Sequence, residues 1–202
     1  MSKERQAALV GSSLEYAAAT LRRGGVIAFP TETYYGLAVD PYNKVAVSRI
    51  FRLKRRDAAK PLTLLIADEQ QLGRLVKNVP ALYVPLIKKY WPGPLTLIFQ
   101  AKAGLSRQVT CENGTVGVRI SSHPLAFAFV ATVGQAITAT SANISGQQPA
   151  KSVDEITAMF GDNLDYILDG GVTPAGLCST IVKVRGRHLN LVRQGQIDLS
   201  LD

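Results

Sequence analysis

The chain has 202 residues, 47% hydrophobic and 19% charged, with a formal net charge of +8. That length suits one domain with a full core, and the mix argues against extended disorder. The basic excess favours anionic partners such as nucleotides or RNA without choosing between them, and a merely solvated basic face fits it too.

Helix and strand signals alternate along the chain, which argues for an α/β fold. Ser12 and Glu15 form a capping-box pattern that predicts a helix ending at Gly24-Gly25. Residues 26–29 read as a buried strand closed by Pro30, and a polar-aromatic loop follows at 31–36. Asn43 is the predicted cap of a second helix, which turns Val47, Ile50 and Phe51 inward and runs into Lys54-Arg55-Arg56. Residues 62–66 are a predicted strand, and Asp68 caps the next helix. Residues 81–90 are helical in pattern but contain Pro85, so a break is expected there.

Trp91-Pro92-Gly93-Pro94 reads as a turn into a strand at 95–99, with further strands at 116–120 and 136–139 around a helix at 125–133. Ser152 and Glu155 suggest a second capping box for a helix ending at Phe160. Strands at 181–184 and 189–192 close the domain. Several strands lack an intervening helix, so a mixed parallel and antiparallel sheet with flanking helices is expected.

Cys111 and Cys178 lie far apart and match no metal spacing, and His123 and His188 are isolated, so no metal site is expected and the thiols read as reduced. No apolar run approaches the roughly 18 residues that a membrane span needs. The N-terminal residues lead into no signal-peptide core, so a soluble cytoplasmic protein is expected.

Four clusters could carry chemistry, the last of them distributed along the chain. Thr31-Glu32-Thr33-Tyr34-Tyr35-Gly36 follows a buried strand and fits either a small polar ligand or a polar turn. Lys54, Arg55, Arg56 and Lys60 precede a strand and suit phosphate oxygens, although a solvated helix end explains them as well. Thr138-Ala139-Thr140-Ser141-Ala142-Asn143-Ile144-Ser145-Gly146 can turn backbone N–H groups and short side chains toward phosphate, or form an Asx turn. Thr115, Arg119, Ser179 and Arg193 are distributed around strands, and their chemistry alone does not single them out. No phosphate-loop or dinucleotide fingerprint is present, nor a nucleophile paired with a base. The chemistry suggested is electrostatic, with cations and hydroxyls on phosphates.

Taken together, these clusters resemble the threonylcarbamoyl-AMP synthase family in its short single-domain form. The resemblance rests on Pro30-Thr31-Glu32-Thr33 with Tyr35-Gly36-Leu37, Lys54-x-Arg56 with Pro61-Leu62, and Trp91-Pro92-Gly93-Pro94-Leu95-Thr96. It continues through Val118-Arg119, Ser141-Ala142-Asn143-x-Ser145-Gly146, Ser179-Thr180 and Arg193-x-Gly195. It implies one catalytic domain over 12–195, with 1–11 and 196–202 as terminal extensions, folded around a concave basic cavity. The implied reaction joins L-threonine, bicarbonate and ATP into threonylcarbamoyl-AMP and pyrophosphate, with Mg2+ on the triphosphate.

The product would feed a tRNA threonylcarbamoyl transferase complex that modifies tRNA beside the anticodon. Direct binding of tRNA or double-stranded RNA stays open. The resemblance assigns Lys54, Arg56, Ser141 and Asn143 to the nucleotide and the reacting centre. It assigns Lys60, Thr115 and Arg193 to ATP, and Thr33, Arg119, Ala139 (through its backbone) and Ser179 to threonine or its carbamate. Leu65 stands where some longer members carry a histidine that contacts the amino acid, and Pro149 where many carry a hydroxyl. Two readings compete with this one. A non-catalytic RNA-binding or ribosome-maturation factor fits the charge. A carbamoyl-adenylate enzyme of hydrogenase maturation shares the domain but carries zinc-binding cysteine pairs that this chain lacks.

Overall fold

The computed structural model describes residues 8–57, 59–110 and 113–199. Ala58 and Cys111 lie outside them, as do the chain ends. Ten strands form one mixed sheet: β1 (Leu9–Gly11), β2 (Ile27–Phe29), β3 (Gly36–Ala38), β4 (Thr63–Leu65), β5 (Leu95–Gln100), β6 (Thr115–Arg119), β7 (Ile137–Ser141), β8 (Tyr166–Leu168), β9 (Thr180–Arg185) and β10 (His188–Arg193). Their order is β1-β8-β2-β3-β7-β4-β6-β5-β9-β10. The β1–β8, β2–β8, β4–β6 and β5–β9 pairs are parallel and the others antiparallel.

Six helices flank the sheet: α1 (Leu14–Arg22), α2 (Lys44–Lys54), α3 (Glu69–Leu75), α4 (Val84–Tyr90), α5 (Pro124–Val133) and α6 (Val153–Phe160). Their ends follow local chemistry. Asn43 and Asp68 cap α2 and α3 as expected, accepting from Val45, Ala46 and Gln71 N–H groups. The cap of α1 is Ser13, one residue later than the Ser12 pattern suggested, because Ser13 Oγ accepts from the Tyr16 N–H. The box at α6 is half formed: Ser152 Oγ accepts from Glu155 N–H, while the Glu155 carboxylate takes the Lys151 N–H. The break near Pro85 falls just before it. A 3-10 turn over Ala81–Tyr83 leads into α4, whose first turn holds Pro85, where its missing N–H costs no helical bond.

Three strands go beyond the sequence expectation: β1, β3 and β8. Each has three residues, too few to show a period. The described parts of the stretches read as extensions, residues 8–11 and 196–199, make contacts with the sheet. β1 pairs with β8, and Ile197 N–H donates to Thr180 Oγ1 while its carbonyl accepts from the same hydroxyl.

Alternation along the strands sends side chains into two layers. Ala28, Leu37, Leu64 and Ile167 pack on one face with α2, α3 and α6, and Ile27, Phe29, Leu65 and Leu168 on the other with α1 and α5. Across β7, β4, β6, β5 and β9 the pattern changes. Residues facing the first layer stay apolar, as at Leu64, Val118, Leu97 and Val182. Toward the second layer their alternates include small and polar residues, as at Thr63, Gly117, Thr115, Thr96 and Ala139, beside Ile98 and Ile181. α1 and α5 pack on the other half of that face, and here a concavity remains.

Candidate active site

The concavity is a cavity of about 440 Å³, a size ordinary for a small-ligand site. Its floor is a row of register partners: Ala139 beside Thr63, Thr63 beside Gly117, and Gly117 beside Ile98. A Cβ on Gly117 would come within 3.1 Å of Thr96 Cγ2, so the glycine keeps the floor low. Among the described residues, four cationic side chains line the cavity, Arg56, Lys60, Arg119 and Arg193, and no carboxylate does.

Nine residues expected from the sequence are therefore brought together: Thr33, Arg56, Lys60, Thr115, Arg119, Ala139, Ser141, Ser179 and Arg193 all line the cavity. Lys54 and Asn143 do not. Lys54 is 1% exposed. Its Nζ donates to the Ser141 carbonyl, to the Asn143 carbonyl at 2.7 Å and to Asn143 Oδ1 at 3.0 Å. Asn143 Oδ1 also accepts from Ser141 Oγ at 2.6 Å, and its Nδ2 donates to the Ile144 and Gln147 carbonyls. Lys54 and Asn143 thus form a clamp behind the lining, with Ser141 as the part of the loop that reaches the cavity. Burial, and secondarily the charge of Arg56, brings the Lys54 ammonium down to about 7.

The cation run at the end of α2 is split by the backbone. Arg55 adopts φ 48, a left-handed turn that is uncommon outside glycine, and ends the helix. Lys54 goes to the interior, Arg55 to solvent, and Arg56 to the cavity. Arg56 Nε and Nη2 donate to the Lys60 and Pro61 carbonyls at 3.0 and 2.9 Å, which leaves its other N–H groups for a ligand. Burial, then Arg193, lowers its pKa.

On the opposite wall, Arg193 donates from Nε and Nη2 to the Ser179 carbonyl, and from Nη2 to Ser179 Oγ at 3.0 Å. Ser179 Oγ is also 3.0 Å from Thr96 Oγ1. The Thr31 and Thr33 hydroxyls lie 3.0 Å apart, and the loop that holds them is pinned by Tyr34 and Tyr35, whose hydroxyls donate to the Gly176 and Gly171 carbonyls. Thr115 Oγ1 donates to Asn113 Oδ1 at 2.8 Å.

Glu32, Thr96 and Cys178 belong to this site and received no role from the sequence. Glu32 and Thr96 sit inside the quoted motifs, which was the available signal. Thr96 and the half-buried Cys178 line the cavity, and Glu32 pairs with Arg119. The two departures from the family pattern fall outside the lining. Leu65 is fully buried in the layer with Ile27 and Phe29, and the half-buried Pro149 lies beyond the loop.

A family model described as "Telomere recombination" (Sua5_yciO_yrdC) matches residues 19–195. The chain belongs to the Sua5/YciO/YrdC family. Among relatives in this family, the threonylcarbamoyl-AMP synthase of Halorhodospira halophila is 40% identical over 157 residues, 78% of this chain and 82% of the relative. That of Vibrio vulnificus strain YJ016 is 37% identical over 186 residues, 91% of this chain and 99% of the relative. The crystal structure of P. abyssi Sua5 complexed with L-threonine matches with a TM-score of 0.86 at 36% identity, over 93% of this chain. This chain spans about half the length of that Sua5 protein, covering 56% of it.

Proposed function

We infer that the chain is a threonylcarbamoyl-AMP synthase, a nucleotidyltransferase that makes L-threonylcarbamoyl-AMP for the threonylcarbamoyladenosine modification of tRNA. One observation carries the reading beyond kinship. A single cavity in a member of this family brings four cations and a set of hydroxyls together, with no carboxylate among the described lining residues. Such a lining favours a polyanion and disfavours metal-ligand or carboxylate-based hydrolytic chemistry.

In the proposed reaction the amino group of threonine bonds to the carbon of bicarbonate, with loss of water, to give a carbamate. A carbamate oxygen then bonds to the α-phosphorus of ATP, and the bond to pyrophosphate breaks. Carbamate decays in water, so holding both partners in one dry cavity raises their effective concentration. Arg56, Lys60 and Arg193 are placed to bind phosphate oxygens and the charge that moves onto pyrophosphate. Thr115 and Ser141 add hydroxyls to the nucleotide. Lys54 and Asn143 act by holding the Ser141 loop in shape. Thr33, Arg119, Ser179 and the backbone of Ala139 receive threonine.

Mg2+ enters as part of the substrate, on the triphosphate. Among the described residues no cluster of three or more His, Cys, Asp or Glu side chains could hold a metal ion. No described helix is long and apolar enough to cross a membrane. Cytoplasmic residence and hand-over to a tRNA threonylcarbamoyl transferase complex complete the proposal.

The test is mass spectrometry of the small-molecule products after incubation with Mg·ATP, L-threonine and bicarbonate. Threonine-dependent threonylcarbamoyl-AMP and free pyrophosphate are the expected products. Their absence, with ATP unconsumed, refutes the reading.

A further inference from the structure

Three buried side-chain atoms lack a hydrogen-bond partner among the described residues: Glu32 Oε1, Arg119 Nε and His123 Nδ1. They belong to one cluster. Glu32 Oε1 stands 3.3 Å from Arg119 Nη1, with the two side chains 13% and 7% exposed. Ser121 Oγ donates to Glu32 Oε2 and accepts from the His123 N–H at 3.3 Å. His123 feels the Glu32 charge, which partly offsets the lowering of its pKa by burial.

A guanidinium has five N–H donors, and leaving them unmet in a buried site is costly. Glu32 meets Arg119 at one corner only. A two-pronged grip would consume two donors; here Ser121 donates to the second carboxylate oxygen and Oε1 stands against Arg119. The charge of Glu32 also partly offsets the burial and the Arg193 repulsion, which together still lower the Arg119 pKa. The result is an arginine anchored from behind, with donors left over, on the wall of a cavity whose described lining has no carboxylate.

We propose that Glu32, held by Ser121, is a positioning residue for amino-acid recognition, fixing Arg119 so that its free N–H edge meets the α-carboxylate of the substrate. This rests on the reading of the chain as a threonine-using synthase. Glu32 touches no substrate and acts through Arg119.

The test pairs L-threonine with L-threoninamide, which lacks the carboxylate charge, on the full chain and on the Glu32→Gln and Ser121→Ala variants. Glu32→Gln is expected to raise the KM for threonine about ten- to a hundredfold, the loss typical of a charge-assisted contact, and to leave the KM for ATP unchanged. The preference for threonine over the amide should collapse with it, and Ser121→Ala should shift both in the same direction. An unchanged KM for threonine, or equal losses with threonine, the amide and ATP, overturns the proposal. If Glu32→Gln loses its native near-UV circular dichroism, Glu32→Asp and Ser121→Ala decide by the same selective loss. A wild type that neither binds nor uses threonine overturns the underlying reading as well, whereas an active wild type with unaffected variants overturns only the positioning role.

Discussion

Lys54→Met isolates the clamp behind the Ser141 loop. Methionine nearly matches lysine in length, so it fills the volume and donates nothing. Three acceptors lose one donor each: the Asn143 carbonyl, Asn143 Oδ1 and the Ser141 carbonyl, the last of which keeps the Asn143 N–H at 2.9 Å. A buried acceptor left unmet costs about 1–3 kcal/mol. Two effects offset the total. Asn143 Oδ1 keeps the Ser141 hydroxyl at 2.6 Å, and a buried ammonium no longer has to be stripped of water. A net loss of about 1–3 kcal/mol remains, mostly from the Asn143 carbonyl, which for a chain of this size lowers Tm by about 2–12 °C. Activity should fall further than stability, by about a hundredfold or more, because a misplacement of about 1 Å at a reacting centre is enough for that. Thermal unfolding and adduct formation below the lowered Tm are the two measurements. A variant with wild-type Tm and wild-type turnover refutes the clamp.

The same lysine sets a pH dependence with two opposite signs. Its folded pKa is about 7 against an ordinary 10.5, so between these values the unfolded chain holds a proton that the folded chain has released. The contribution of Lys54 to stability therefore rises with pH across that window, while the charged clamp weakens as pH passes about 7 and turnover should fall. Unfolding and rate profiles of wild type against Lys54→Met check both slopes; identical profiles would sink the assignment. Gly195→Ala should lower Tm by several degrees and weaken ATP binding, because a Cβ there would overlap the Cys178 carbonyl and the Ser179–Thr180 peptide at the cavity wall. Calorimetry and ATP titration read the two effects, and a silent substitution would contradict that packing. Leu65→His should cost about 2–4 kcal/mol without sharpening selectivity for threonine, since the imidazole would enter an apolar layer. A stable and more selective variant would show that the position reaches the amino acid after all.

Much of this protein was legible in its sequence because the signals are local. Caps at Asn43, Asp68 and Ser152, the apolar stripe of α2 and the apolar strand stretches need only neighbours along the chain. The ordered motifs, read as a family resemblance, also named nine of the residues that meet in one cavity. Other features were settled only when distant segments met. β1, β3 and β8 are too short to declare themselves and exist because a neighbouring strand supplies their hydrogen bonds. Lys54 and Arg56 look equivalent in a basic run, yet the left-handed turn at Arg55 buries one under the Ser141 loop and opens the other to the cavity. The partnership of Glu32 with Arg119 joins residues from β6 and the loop after β2. Composition and periodicity register a residue's own preference for water or core. Which charge ends beside which carbonyl or carboxylate depends on strand order and register, and those come from packing over the whole sheet.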